Sequence, residues 1–134
     1  MLVETVTLQL PENIYRRLAN NAQATKRPLE DVILHALTIG GPPTWEDVPA
    51  EFQAELAEMD RLDDEVLWKI VRSRKTEQEM ADYDELLEKN KSGRLSNTEK
   101  LELAELRNQA DLFTLRKAHA AVLLRWRGHP VVSL

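Results

Sequence analysis

The segment Glu4-Thr-Val-Thr-Leu-Gln-Leu10 constrains this chain more than any other stretch. Val6, Leu8 and Leu10 fall on one side of it and Thr5, Thr7 and Gln9 on the other, which is the period of a half-buried strand. Pro11 ends it. A strand needs a neighbour for its backbone donors and acceptors, and everything after Gly41 reads as helix or loop except a short Val131-Val132 tail. The expectation is therefore a second copy: an antiparallel ribbon between two chains, its buried face formed by Val6, Leu8 and Leu10 of each, within a homodimer.

Two short helices should follow the strand. Proline is favoured in the first turn of a helix, and Ile14, Leu18 and Ala22 recur at intervals of four, so Pro11 to about Ala24 reads as an amphipathic helix. Thr25-Lys26-Arg27 makes a turn. From Pro28 to about Ile39, Leu29, Val32, Ile33, Ala36 and Leu37 form one apolar stripe, and Gly40-Gly41-Pro42-Pro43 stops the helix. The expected dimer core is Val6, Leu8, Leu10, Ile14, Leu18, Val32, Ile33 and Leu37.

Residues 3–40 resemble the ribbon-helix-helix family, which includes the Arc and methionine repressors and many antitoxins of bacterial toxin-antitoxin operons. The resemblance lies in Val-Thr-Leu-Gln-Leu-Pro at 6–11, in Ile14-Tyr15 and Leu18, and in Lys26-Arg27-Pro28-Leu29-Glu30-Asp31-Val32. It implies that the outward face of the ribbon enters the major groove of double-stranded DNA, with Thr5, Thr7 and Gln9 as base readers. Glutamine can bond N6 and N7 of adenine, and threonine offers a hydroxyl and a methyl. It also implies a phosphate held at the start of the second helix by Lys26, Arg27 and the amides of Leu29 and Glu30. Pro28, which has no amide, stands where many members place serine or threonine. An alternating Thr/Gln face is equally what any solvent-facing strand presents, so a chain that only dimerises stays open as the alternative.

The remainder reads as a second domain, with 1–40 the ribbon-helix-helix module, 41–48 a linker and 49–129 a helical body that binds a partner. A helix from about Pro49 to Arg61 carries Phe52, Leu56 and Met59 on one face. Asp63 is placed as an N-cap, with Leu62 and Leu67 as a hydrophobic staple, for a helix to about Ser73. Thr76-Glu-Gln-Glu79 and Ser96-Asn-Thr-Glu99 are capping-box patterns, the first for a helix to about Lys91 that Gly93 closes. The second opens a helix of about thirty residues, about 45 Å long. It carries two apolar stripes, one through Leu103, Leu106, Ala110, Phe113, Ala120 and Leu124, the other through Leu101, Leu112, Leu115, Val122 and Trp126, which makes it the central helix of the body. The overall expectation is a mainly α protein with an N-terminal ribbon-helix-helix module and a helical-bundle body.

Charge is unevenly spread. Residues 1–40 carry four basic and four acidic side chains, residues 41–114 ten and nineteen, and residues 115–134 four and none, within a net charge of -5. The acidic middle offers a surface to a basic partner protein. The basic tail, Arg116-Lys117 and Arg125-Trp126-Arg127-Gly128-His129, serves either to neutralise a helix end and snorkel over the core or to touch nucleic acid or an acidic surface.

Enzyme chemistry finds no parts. His35, His119 and His129 are isolated from one another, there is no cysteine, and no nucleophile elbow or phosphate loop is present. No cofactor or metal site is expected. No apolar run is long enough for a bilayer and no secretory signal pattern opens the chain, which points to the cytoplasm and away from a membrane. The functional expectation is a dimeric DNA-binding transcriptional regulator of the antitoxin type, whose helical body neutralises a toxin or other partner. The alternative is a structural adaptor that uses its N-terminal module only to dimerise.

Overall fold

A computed structural model describes residues 2–131. The chain divides into two compact units between Gly41 and Pro42. Among the described residues six α-helices account for the regular structure: α1 Glu12–Thr25, α2 Leu29–Gly40, α3 Ala50–Glu58, α4 Asp64–Arg72, α5 Glu77–Lys91 and α6 Asn97–Trp126, with one 3₁₀ turn at Met59–Arg61.

The expected ribbon is absent. Residues 2–10 carry no regular secondary structure, and the described residues contain no strand, so the ribbon-helix-helix architecture is corrected to an all-helical one. The reason is physical. Alternation places side chains on two sides of an extended segment, but a strand exists only when a neighbour completes its hydrogen-bond ladder, and the described residues supply no such neighbour.

In the N-terminal unit α1 and α2 pack against each other. Pro11 and Pro28 sit at the two N-caps with φ of -54° and -56°, and neither helix has a side-chain cap. Lys26 ends α1 in the left-handed region at φ 54°, its N–H donating to Ala22 and Gln23 carbonyls, while the Arg27 N–H reaches the Ala22 carbonyl at 3.0 Å. Gly41 ends α2 where a Cβ would lie 2.7 Å from the Leu37 carbonyl oxygen, which excludes larger residues at no change of backbone. The unit buries little: Ala22 is its one buried hydrophobic residue among those described.

The body is built around α6. Leu56 and Met59 from α3 and the turn after it, Leu67 and Val71 from α4, and Ala120, Ala121, Leu123 and Leu124 from α6 make one buried cluster, joined by Val131. Leu67, Leu124 and Ala120 are wholly inaccessible to solvent. Burying each such leucine contributes about 1.5–3 kcal/mol, so this cluster supplies most of the driving force for the unit. The two apolar stripes of α6 share the work unequally. Leu103, Ala120 and Leu124 of the first are buried, whereas Leu101, Val122 and Trp126 of the second are exposed.

Local signals delimit these helices. The Asp63 carboxylate accepts from the Val66 N–H at 2.9 Å, and the Thr76 hydroxyl from the Glu79 N–H at 3.1 Å. Ser96 and Glu99 complete a reciprocal capping box, each accepting from the other's backbone N–H at 3.1 Å. Lys89 Nζ donates to Glu99 Oε2 at 2.7 Å, tying the end of α5 to the start of α6. This pairing raises the Lys89 pKa and lowers that of Glu99, each chiefly through their shared hydrogen bond.

Gly128, at φ 100°, reverses the chain after α6, with the His129 N–H donating to the Leu124 carbonyl at 2.9 Å. That left-handed turn is where glycine avoids the Cβ clash of other residues. It returns Val131 to the core, where Arg125 holds its carbonyl through Nε at 2.9 Å and a terminal guanidinium nitrogen at 2.7 Å. The segment read from sequence as a tail is thus part of the core as far as Val131; Val132 lies outside the described residues.

Candidate functional site

Thr5, Thr7 and Gln9, expected as base readers, are all exposed along the irregular N-terminal segment. Lys26 and Arg27 are exposed in the α1–α2 turn, with Leu29 and Glu30 in the first turn of α2. The structure therefore gathers Lys26, Arg27, Leu29 and Glu30 at one turn. The three base-reading candidates belong to a separate, unpaired segment.

The expected dimer-core residues divide into two groups. Leu18, Val32 and Ile33 are half-buried, whereas Val6, Leu8, Ile14 and Leu37 are 73, 67, 46 and 59% exposed and Leu10 is 38% exposed. Ile39 adds a further exposed apolar side chain at 72%. Between α1 and α2 opens a groove of about 580 Å³, with Ile14, Leu18, Val32, Ala36 and Ile39 along it and Arg17 and Arg27 at its rim. Its chemistry suits another apolar surface edged by acceptors.

In the body, three arrangements of polar and charged side chains stand out. The first is a clamp at the start of α4. Arg127 Nη1 donates to the Leu62 carbonyl at 2.7 Å and to Asp64 Oδ1 at 3.0 Å, Arg127 Nη2 reaches the Asp60 carbonyl at 3.1 Å, and His129 Nε2 lies 2.7 Å from Asp64 Oδ2. The Arg127 hydrogen bond, and after it that of His129, hold the Asp64 carboxyl below the usual carboxylate range. Arg127 and His129, read from sequence only as part of a basic tail, are structural ligands of Asp64. No local signal links residues more than sixty positions apart.

The second is His119, 8% exposed on α6, its ring edge-on to Trp45 with centroids 6.3 Å apart. Burial lowers its pKa, partly offset by the Asp60 charge, and Nε2 has no hydrogen-bond partner among the described residues. A neutral imidazole packed on an indole is a core element with one unsatisfied nitrogen.

The third is a groove of about 730 Å³ that Trp68, Val71 and Arg72 of α4, Arg74 and Lys75 of the following loop, Met80 of α5, and Phe113 and Lys117 of α6 enclose. Arg72 lies over the Trp68 ring at 5.0 Å, and Lys75 and Lys117 lie over the Phe113 ring at 5.5 and 6.0 Å. Sequence spacing places Phe113 in a core stripe; the fold leaves it half-buried as the floor of this groove.

Among the described residues no group of three or more His, Asp or Glu side chains is arranged to hold a metal ion, and no helix is long and apolar enough to cross a membrane. The chain matches no family model, no curated protein and no solved structure.

Proposed function

We propose that the chain is a homodimeric DNA-binding regulator of the antitoxin type, in which the N-terminal unit associates with a second copy and contacts DNA while the helical body engages a partner protein. One observation carries this reading. The N-terminal unit exposes Val6, Leu8, Ile14, Leu37 and Ile39 and buries one hydrophobic residue, a distribution that leaves a unit of this size short of stabilising burial until another surface covers it. A second copy carries a matching surface by symmetry. Self-association is ascribed to the apolar helix faces and the α1–α2 groove, and it needs no strand.

The exposed polar side chains of the same unit supply the DNA contact. Gln9 can present its amide to adenine, and Thr5 and Thr7 can present hydroxyl and methyl groups to base edges. Lys26 and Arg27 at the turn meet phosphate, aided by the free amides of Leu29 and Glu30. A second reading, a dimerising adaptor without DNA binding, is favoured by the balance of four basic and four acidic residues over positions 1–40, because phosphate neutralisation supplies most non-specific affinity.

Sedimentation of the full chain and fluorescence anisotropy with DNA from its own promoter separate the two. The regulator requires a dimer whose specific binding is lost in Thr7→Ala/Gln9→Ala with the dimer intact. A dimer that binds no DNA even at low salt leaves the adaptor, and a monomer removes both.

A further inference from the structure

The body is acidic as a whole, with fourteen basic and nineteen acidic residues over positions 42–134, yet the groove between α4, α5 and α6 is lined by four cations and no carboxylate. The ion pairs among the described residues use Arg16, Arg61, Lys69, Lys89, Arg127 and His129, so Arg72, Arg74, Lys75 and Lys117 have no acidic partner among the described residues. The dipole of α4 accounts for Arg72 in its last turn, but not for Arg74 and Lys75 beyond the helix or for Lys117 on α6. Three of the four cations are held over aromatic rings, which restrains them in place and strips part of their water. The floor beneath them, Val71, Met80 and Phe113, is apolar, and Met80 is 49% exposed there.

We infer that this groove is a docking site for an acidic peptide segment of a partner protein, one that places a large apolar side chain on Phe113 and Met80 and carboxylates against Arg74, Lys75 and Lys117. The volume suits one such anchor with its flanking residues. Charge complementarity selects the occupant. A short peptide with a few carboxylates feels the local cations, since charges beyond about 8–10 Å are screened at physiological salt. A long polyanion such as nucleic acid also meets the surrounding acidic faces. The face of Trp68, the widest ring a base could stack on here, is already covered by Arg72. On the neighbouring side of Phe113, Arg116 extends the cationic rim, its Nε buried without an acceptor among the described residues.

The site rests on the proposal that the body engages a partner protein and is independent of DNA binding by the N-terminal unit. Fluorescence anisotropy of the full chain with a labelled peptide alternating glutamate with leucine and tryptophan tests it, with a glutamate-serine peptide, a lysine-for-glutamate peptide and a single-stranded oligothymidine as comparators. Expected is saturable binding of the first peptide that weakens about tenfold or more in Arg74→Glu/Lys75→Glu and in Lys117→Glu, and that weakens with rising salt. Lys100→Glu, on the exposed first turns of α6, should leave it unchanged, and circular dichroism should match the wild type for every variant. Absence of saturable binding at low salt overturns the inference, as does equal binding of the glutamate-serine peptide or tighter binding of the oligothymidine. If these variants bind promoter DNA normally while peptide binding is lost, the two functions are separate. Loss of promoter binding alone in Thr7→Ala/Gln9→Ala leaves the groove untouched.

Discussion

The two units of this chain solve the same problem with opposite success. Both are built from amphipathic helices, but the body folds Leu56, Met59, Leu67, Leu123 and Leu124 into a closed cluster around α6, while α1 and α2 leave Ile14, Leu37 and Ile39 in solvent. The difference is one of geometry more than composition. A thirty-residue helix gives several shorter helices a common surface to cover, whereas two helices of fourteen and twelve residues give each other one narrow face. A unit that cannot complete its own core is suited to association, and one that can is suited to present a preformed site.

That contrast can be broken most sharply by paired truncations. Leu124→Ala, at a site with no solvent access, should destabilise the body by about 2–5 kcal/mol in chemical denaturation, because a cavity remains where the side chain was. Leu37→Ala, at 59% exposure, should barely shift that transition but should weaken self-association measured by sedimentation. If the two substitutions destabilise the body alike, the division between a self-sufficient and a dependent unit fails.

The clamp is the next largest effect. Arg127→Ala removes the donor to the Leu62 and Asp60 carbonyls and to Asp64, and should cost about 1–3 kcal/mol of body stability by thermal unfolding. Lysine at 127 should recover only part of it, since an ammonium cannot present the planar fork that reaches two carbonyls and a carboxylate. Ser96→Ala, which breaks the capping box of α6, should cost about 1 kcal/mol, and threonine should restore most of it.

The smallest effect is in the pH profile. His119 is held neutral, its pKa depressed by burial below the ordinary 6.5, so its contribution is fully present above that pH and is lost as pH falls through the folded-state value. Asp64, depressed below 3.8, acts in the same direction but at lower pH. The body should therefore lose stability in two stages on acidification. His119→Phe should flatten only the first, read as the denaturation midpoint as pH falls from 7 through the ordinary histidine range. An unchanged slope there would show that His119 carries no proton linkage.

Much of the helical layout was legible in the sequence because its signals are short-range. Asp63, Thr76 and Ser96 stand beside the helices they cap and contact amides three residues ahead, and Gly93 marks a turn through its own backbone angle of 71°. The same local reading fails at residues 4–10. Alternation of Val6, Leu8 and Leu10 with Thr5, Thr7 and Gln9 describes which sides an extended segment would present, but cannot supply the second strand that makes it a sheet. Of the candidate residues, Lys26 and Arg27 were readable as a basic turn, whereas the cationic groove was not. Arg72, Arg74, Lys75, Phe113 and Lys117 look like ordinary helix-end charges and a core aromatic until α4 and α6 are brought together.

By itself, then, the sequence determined where helices start and stop and that α6 is long enough to organise a body. The tertiary structure decided the rest: which stripe of α6 is covered, that Val131 returns to the core, that Arg127 and His129 close on Asp64, and that four cations share one groove. The physical reason is the range of the interactions. Caps and turns are set by neighbours within one helical turn, while burial and charge pairing depend on which surfaces meet, and residues 64 and 127 share no local pattern that would foretell their contact.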